Sequence, residues 1–423
     1  MTFSERVFIL DTCLKNGGIV LKKWMLLISM AALGGCSANV NIDQTDSSDG
    51  IESNQTIIES SKSDSADRRE SEEKTEKRVS FIGAGDNLIH DSVIDAARLD
   101  DGSYDFKPMY DQVASFIEEA DLAFLNQETI LAGSDYPYAG YPSFNTPDEM
   151  AQNMHDLGFD LINGATNHTL DYDYTGAIHA KEVWNQFDDL IYTGNFLSEE
   201  DRNTIPTMEK NGVTFSFLAY TYGTNGMVPD TDWRVAYFDE DKIREDVARA
   251  KETSDVVIVS AHWGDEDTPV VNEFQKEYAQ LFADLEVDVV IGTHPHHIQP
   301  IEWLTGENGN EMLVVYSLGN FLANALADIN TLGGMITFDF VVNDEGTSVE
   351  NVIFKPTISH FTAYKTDMEI PTKDFKIYLL NEYTDKLASE HGLNRFDDVE
   401  IKPENYQRLV EDIIAPEFLE IAS

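Results

Sequence analysis

Three histidines lie close together in the segment VVIGTHPHHIQ, residues 289–299. The segment begins with apolar and small residues, which predict a short buried strand, and His294, His296 and His297 follow this strand directly. Pro295 stiffens the turn between His294 and His296, so their imidazoles can serve one metal ion or two neighbouring ones. The alternative, for this segment taken alone, is a solvated loop.

The same pattern, a predicted strand followed by polar side chains, recurs along the chain. Because the carboxyl ends of the strands in an open α/β sheet meet at one edge, we expect these side chains to converge. Core packing explains such a set poorly, since ionisable groups are rarely buried without a partner. The residues concerned are Asp86 and His90 after strand 79–85, Glu128 after 121–126, Asn167 and His168 after 159–165, and His262 after 256–261.

These side chains have the chemistry of a metal centre. Nitrogen and oxygen ligands without sulfur suit divalent Mn, Fe or Zn. A carboxylate such as Glu128 can bridge two metal ions that lie about 3.5–4 Å apart, and such a pair activates water and clamps a phosphoryl group. The residue types therefore favour a hydrolytic centre with divalent metal ions.

Other polar residues lie close to these candidates in the sequence. Asp265 and Glu266 follow His262 and either orient it from behind or form a solvated pair. Asn320 belongs to a predicted turn that supports the site. His297 has no assigned partner.

Helical segments alternate with these strands, as an α/β fold requires. Apolar spacing predicts helices over residues 109–120, 147–157, 175–187, 241–253 and 274–285. Strands are also predicted over residues 213–220, without an obvious ligand, and over 312–316, 335–342 and 352–359, the last two antiparallel.

The composition is strongly acidic. The 77 acidic and 29 basic residues give a formal net charge of −48. Such a surface repels phosphate backbones and anionic lipid headgroups, so nucleic acid is excluded as a partner. Cys13 and Cys36 are the only cysteines, which excludes a disulfide framework and a cysteine metal site in the body of the chain.

The first 36 residues are typical of a lipoprotein signal region. Lys22 and Lys23 precede a short apolar run that ends in LGGC, which resembles a bacterial lipobox, so we expect cleavage before Cys36 and lipidation of its thiol. The protein would then be extracytoplasmic and held at the bacterial cell membrane by its lipid. The alternative is an uncleaved membrane anchor. Residues 37–77 are polar and acidic, which predicts a disordered linker.

The rest of the chain divides into two predicted parts. Residues 78–363 contain the strands and candidate ligands and form the main domain. Residues 364–423 form a helical C-terminal appendage, with helices predicted over 375–391 and 404–414.

Six motifs, in order, resemble the capsule-synthesis CapA family, also called poly-γ-glutamate biosynthesis proteins of the PgsA type. This family is part of the calcineurin-like metallophosphoesterase superfamily. His360 and His391 lie outside the motifs. The motifs are GDNLIH (85–90), LNQE (125–128), ATNHTLDY (165–172), SAHWGDE (260–266), IGTHPHHIQP (291–300) and YSLGNF (316–321).

The resemblance implies a four-layer αββα sandwich with a metal site at the sheet edge. It also implies two divalent ions that Glu128 bridges, at a position where the superfamily usually has the shorter Asp. The ligands carried across are Asp86, Glu128 and His296 for one ion, and Glu128, Asn167, His262 and His294 for the other.

Roles in catalysis are also implied by the resemblance. His168 would donate a proton to the leaving oxygen, or stabilise phosphate charge, while Asp86 acts at the metal and Asp171 supports the site from behind. His90 is a weaker ligand candidate. It follows Asp86 by four residues, whereas the superfamily places its histidine two residues after, where this chain has Leu88.

Three functions compete. The first is a metal-dependent, phosphoesterase-like hydrolase that acts on a phosphorylated or polymeric envelope substrate, alongside other capsule-synthesis membrane proteins. The second is a non-catalytic lipoprotein that binds or exports the capsule polymer; the acidic surface argues against this unless cations bridge. The third is a glycan or amide hydrolase with Glu128 paired to Asp265 or Glu266.

Overall fold

The computed structural model describes residues 76–325, 327–364, 371–396 and 399–420. The predicted signal region, Cys36 and the predicted linker up to residue 75 lie outside the described residues. Within the described ranges, none of the helices combines the length and the hydropathy needed to cross a bilayer.

Strands and helices alternate through the first two thirds of the described chain, as the apolar pattern predicts. In chain order the strands are β1 (Lys77–Asn87), β2 (Leu122–Asn126), β3 (Leu161–Asn163), β4 (Ile191–Thr193), β5 (Thr207–Lys210), β6 (Val213–Thr221), β7 (Val256–His262), β8 (Val289–Thr293), β9 (Ile301–Thr305), β10 (Glu311–Val315), β11 (Asn320–Leu322), β12 (Leu332–Asn343), β13 (Gly346–Ala363) and β14 (Thr372–Leu379).

The described helices are mostly short, and several connecting segments are 3₁₀ turns. The α-helices are α1 (Asp91–Ala97), α2 (Ala114–Glu118), α3 (Glu149–Asp156), α4 (Asp173–Trp184), α5 (Glu199–Arg202), α6 (Glu240–Thr253), α7 (Glu273–Asp284), α8 (Asp385–Glu390) and α9 (Pro403–Ile413).

Two mixed sheets form the centre of the fold. The larger has the order β14-β13-β12-β1-β2-β3-β4, with β11 also paired to β1, and the smaller has the order β5-β6-β7-β8-β10-β9. Strands β1 to β4 are mutually parallel, and so are β6, β7, β8 and β10. Strands β12, β13 and β14 are antiparallel, which confirms the two late antiparallel strands.

The two sheets pack face to face through alternate side chains. Phe124 of β2 lies 5.8 Å from Phe217 of β6, and Phe215 of β6 lies 5.2 Å from Phe340 of β12, measured between ring centroids. In β7, Val256 and Ile258 belong to this shared core. Because side chains alternate along a strand, His262 points to the same side as these two residues.

Helices cover the outer face of each sheet. On the smaller sheet, Ile243 of α6 and Phe282 of α7 pack against the outward side chains of β7 and β8, such as Val257 and Val290. On the larger sheet, α3 and α4 bury apolar residues such as Met154 against the core. The predicted α/β class and four-layer αββα arrangement are therefore confirmed.

One predicted helix is wrong in part. Residues 375–391 do not form one helix, because residues 372–379 form β14, which pairs with β13 at the edge of the larger sheet. Phe375, Ile377 and Leu379 are buried and the residues between them are more exposed, a period of two that fits a strand. The rest of this range contains a 3₁₀ turn at Leu380–Glu382 and then α8. The boundary between 363 and 364 stays a prediction.

A second predicted helix, over residues 109–120, is also interrupted. The chain forms a 3₁₀ turn at Lys107–Met109 and then the short helix α2. The buried residues of the segment 109–120, Met109, Val113 and Ile117, still face the core, so the apolar spacing is satisfied without a continuous helix.

Candidate metal centre

The predicted polar residues meet where parallel strands end. Asp86 pairs in register with Asn126 at the ends of β1 and β2, and His262 pairs with Thr293 at the ends of β7 and β8. The loops that follow β2 and β8 add Glu128, His294 and His296. The two sheets thus contribute ligand candidates from both sides of one edge.

Three groups of side chains could hold a cation, each with its ligand atoms within 4.8 Å of one another. Glu128 belongs to two of them, which puts one carboxylate between two sets of imidazoles. The groups are Asp86, Glu128 and His296; Glu128, His262 and His294; and Glu266, His294 and His296.

The Glu128 carboxylate has the environment of a metal ligand. The residue is 1% exposed, and among the described residues neither of its oxygens has a hydrogen-bond partner. Its Oε1 lies 3.5 Å from His296 Nε2 and 3.9 Å from His262 Nε2. Burial raises the pKa of Glu128 well above its usual value, although His296 works in the opposite direction. A divalent ion would satisfy both unpaired oxygens, so the residues present fit a metal.

The pKa values of the three imidazoles are shifted in different directions. Burial lowers the pKa values of His262 and His294 well below 6.5, so both are neutral, as metal ligation requires. Burial also disfavours the charged form of His296, but Glu128 and Asp86 more than offset this and raise its pKa to about 10. Without metal, the positive charge of a protonated His296 would offset part of the negative charge of Glu128 and Asp86, as a bound cation otherwise does.

A chain of buried amides fixes Asp86. Asn126 Nδ2 donates to Asp86 Oδ1 at 2.8 Å, and Asn163 Nδ2 donates to Asn126 Oδ1 at 2.7 Å. The other carboxylate oxygen lies 3.1 Å from His296 Nδ1. The sequence prediction missed both asparagines; the available signal was that each ends a short apolar strand with a polar residue.

Backbone contacts hold the ligand loops in place. A Cβ at Gly85 would lie 2.0 Å from the carbonyl oxygen of Gly319, so two stretches of main chain touch directly beside Asp86. The same oxygen accepts a hydrogen bond from Asp86 N at 2.9 Å. His294 and His296 have φ values of 98° and 56°, in a left-handed region that L residues rarely adopt. Such conformations persist where the surroundings hold them, often at functional sites.

His168 is oriented by a carboxylate. Its Nδ1 donates to Asp171 Oδ2 at 2.8 Å, and Asp171 also accepts from Phe144 N at 2.7 Å. The Phe144 ring packs edge-on against the imidazole, with 4.7 Å between centroids. This geometry fixes the ring of His168; the supporting role of Asp171 stays a prediction. Nearby, Asn167 Oδ1 lies 2.9 Å from His262 Nε2, and both residues are implied ligands of the same ion.

His90 lies close to the centre but belongs to none of the three groups among the described residues. Its Nδ1 lies 3.1 Å from Leu88 O and 3.3 Å from Asn324 N, so this nitrogen is engaged by backbone. Burial lowers its pKa to about 4. His90 is therefore a neutral side chain beside the site.

Residues 80–325, more than half of the chain, match the family model described as bacterial capsule synthesis protein PGA_cap. The chain belongs to this capsule synthesis family. The family membership predicted from the six motifs is confirmed.

Two curated relatives carry the same family name. The chain is 28% identical over 225 residues to the PGA biosynthesis protein CapA of Bacillus subtilis (strain 168), which covers 48% of this chain and 57% of that protein. It is 25% identical over 214 residues to the capsule biosynthesis protein CapA of Bacillus anthracis, covering 49% of this chain and 50% of that protein. The chain thus spans little more than half the length of these relatives.

Solved structures resemble the chain at low identity. A novel phosphatase from Mycoplasma pneumoniae aligns with a TM-score of 0.42 and 12% identity, over 67% of this chain and 94% of its own. A 5'-nucleotidase from Candida albicans SC5314 aligns with a TM-score of 0.35 and 13% identity, over 62% of this chain and 47% of its own. Residue roles must come from this chain's own geometry.

The other predicted supporting residues take distinct places in this family member. Asn320 Oδ1 lies 3.0 Å from His296 Nδ1 and helps to orient that ring. Glu266 lies 4.0 Å from His294, not beside His262, and its side chain is half exposed. Asp265 accepts from Asn272 at the start of α7 and so has a structural contact.

The prediction missed three residues that touch the ligands. Thr293 Oγ1 bonds with His262 Nδ1 at 2.9 Å, which orients that imidazole. Tyr222, just past β6, lies over His294 with 4.6 Å between ring centroids. Asn225 Nδ2 lies 3.4 Å from His168 Nδ1. The strand before Tyr222 was predicted without a ligand, and no local signal marks these contacts.

Proposed function

We propose that this capsule synthesis family member is a metal-dependent, phosphoesterase-like hydrolase. The observation that supports this most is Glu128: one fully buried carboxylate, with both oxygens unpaired, is shared between two groups of ligand atoms. Buried carboxylates normally have partners, so an unpaired one between histidines favours a bridging role.

Each proposed ligand set draws on both sheets. Two divalent ions, Mn, Fe or Zn, would polarise a phosphoryl oxygen and make water a stronger nucleophile there. Strand β1 and the loops after β2 and β8 would hold one ion, and the loops after β2, β3 and β8 together with β7 would hold the other. The proposed ligands are Asp86, Glu128 and His296 for the first, and Glu128, Asn167, His262 and His294 for the second.

His168 is the proposed proton donor. Asp171 fixes its Nδ1, which leaves Nε2 to give a proton to the ester oxygen as the phosphorus–oxygen bond breaks. The attacking water adds its oxygen to phosphorus and releases its proton to solvent. The products are an alcohol and a phosphate, so the step needs no further reactant.

The experiment compares two isosteric changes. Glu128→Gln keeps the shape but removes the shared charge, so bound Mn, Fe or Zn and hydrolysis of p-nitrophenyl phosphate should both be lost. Asp265→Asn is the control. Among the described residues Asp265 belongs to none of the three groups, so this variant should retain both bound metal and hydrolysis. Elemental analysis and a chromogenic assay give the readouts. A wild-type protein without stoichiometric metal, or a fully active Glu128→Gln variant, would refute the proposal.

Location and anchoring are proposed from the sequence. We propose an extracytoplasmic protein attached to the cell membrane through lipid on Cys36, supported by the lipobox-like LGGC. Metabolic labelling with a fatty acid should mark the wild type and not Cys36→Ser. Labelling of both forms would reject the lipid site.

A second candidate function is a non-catalytic role in polymer handling. The names of the two relatives, which refer to capsule and PGA biosynthesis, support it. The two candidate functions can be distinguished in cells that produce the Glu128→Gln variant in place of the wild-type protein. Normal polymer output with lost hydrolysis favours the accessory role, and lost output favours catalysis.

A further inference from the structure

A cleft of about 350 Å³ opens directly beside His296. The residues that line it include His90, His297, Asn320 and Asn324. Because His296 belongs to the proposed metal centre, a substrate whose phosphate binds there would place its remaining part in this cleft. The cleft is large enough for a small organic group and is open to solvent.

Apart from His296, which belongs to the proposed metal centre, the described lining of the cleft offers no positive partner. The described residues that line it include apolar side chains, amides, imidazoles and Asp267, but neither lysine nor arginine. Asn330 Nδ2 donates to Asp267, and both Asp267 and Asp328 act electrostatically on His297, so the local charge is negative. A carboxylate that lies among these residues, away from the metal centre, would lose water without gaining a cation, which is unfavourable.

Neutral hydrogen-bonding groups in the same cleft are unused. The His297 ring makes no hydrogen bond within the described chain, and its Nδ1 is buried without a partner. The side-chain oxygen of Asn324 is likewise buried and unpaired. Unpaired buried polar atoms are uncommon, so a ligand that brings hydroxyl or amide groups would satisfy what the protein leaves open.

We infer that the cleft beside His296 receives the uncharged, hydroxyl-bearing part of a phosphate ester. The substrate class is then an ester of phosphate with a neutral polyol or sugar, and esters whose organic part carries a carboxylate are disfavoured. This inference rests on the proposed hydrolase function and adds the part of the substrate that the metal centre does not contact.

The test uses two esters of nearly equal size. Glycerol 3-phosphate carries a neutral CH₂OH group where 3-phosphoglycerate carries a carboxylate. The metal-loaded wild type should show a kcat/KM about 10-fold higher for glycerol 3-phosphate, as expected when a charged group is buried without a partner.

Two variants connect this preference to the cleft. Asn324→Lys places a cation in the lining of the cleft. The ratio of kcat/KM for glycerol 3-phosphate to kcat/KM for 3-phosphoglycerate should then fall roughly three- to tenfold. Asn308→Lys adds the same charge at a surface turn, where Asn308 Nδ2 donates to Glu286 Oε1, and should leave the ratio at its wild-type value. An equal change in both variants would overturn the inference.

Binding separates this inference from the proposed function. The shift in melting temperature of the metal-loaded protein is measured with each ester. If neither ester is hydrolysed but glycerol 3-phosphate alone stabilises the wild type, and Asn324→Lys removes the difference, the inference stands and the hydrolase proposal fails. If both esters are hydrolysed or bound equally well, the inference fails while the hydrolase proposal is unaffected. If neither is hydrolysed nor bound, the inference fails as well.

Discussion

Two clusters of buried histidines lie in the described part of this protein, and they differ in whether a buried carboxylate lies beside them. At the metal centre, His262 and His294 face the carboxylate of Glu128, whose oxygens have no hydrogen-bond partner among the described residues. In the second cluster, His360 Nδ1 bonds with Tyr383 OH at 2.7 Å, and His391 Nδ1 accepts from Leu393 N at 3.1 Å. The partners in the second cluster are therefore a tyrosine hydroxyl and a backbone amide.

The difference shows that burial alone does not identify a site. Burial lowers the pKa of His360 to about 4 and that of His391 to about 3, as strong a perturbation as functional histidines show. Yet among the described residues neither belongs to a group of three close ligand atoms. The decisive feature is the carboxylate with unpaired oxygens.

The largest expected contrast comes from removing one histidine from each cluster. His262→Ala should weaken metal binding about 100-fold or more and abolish hydrolysis, because a ligand is lost. His391→Ala should keep its metal and lower the free energy of unfolding by about 1–3 kcal/mol, since it leaves buried partners unpaired. Metal titration and urea unfolding measure the two effects. Loss of metal in His391→Ala would break the distinction.

The orienting partners give the next contrast. Asp171→Asn should reduce kcat about 10- to 100-fold with little change in metal content, because His168 loses the carboxylate that fixes its ring. Tyr383→Phe removes the bond to His360 and should leave kcat unchanged. Steady-state kinetics of both variants decide this. An unaltered kcat in Asp171→Asn would remove His168 from the mechanism.

Proton release sharpens the comparison further. The pKa of His296 is about 10 without metal, so at pH 7 a cation must displace its proton, and affinity should rise about tenfold per pH unit from this group. Calorimetry in buffers with different ionisation enthalpies should detect about one proton released. His360 and His391 are neutral at this pH and release none. Binding without proton release would contradict the protonated state.

The smallest effect concerns acid stability of the metal-free protein. The pKa values of His360 and His391 lie below the unfolded value near 6.5, so the unfolded chain binds more protons between about pH 4 and 6.5. The free energy of unfolding should therefore fall as the pH drops through this window. His391→Gln should make that slope shallower in thermal melts. A slope as steep as that of the wild type would show that His391 does not titrate on unfolding.

The sequence was sufficient to predict the sheet edge. Asp86, Glu128 and His262 each follow an apolar run, and the alternation of strands and helices makes their convergence predictable. The partners of these residues were not predictable. Asn126 reaches Asp86, and Thr293 reaches His262, only because distant strands pair in a particular register.

The C-terminal region shows a different limit. Residues 372–379 carry a pattern that suits either a helix or a strand, and the free edge of β13 decides the outcome. Tyr222 had no local signal at all, since its contact with His294 depends on how two loops meet.

The contact between Gly85 and the Gly319 carbonyl limits how this protein can be altered by mutation. Even one added methyl group at position 85 would have to displace main chain on the opposite side, and Asp86 would move with it. A library randomised at this position should return glycine almost exclusively.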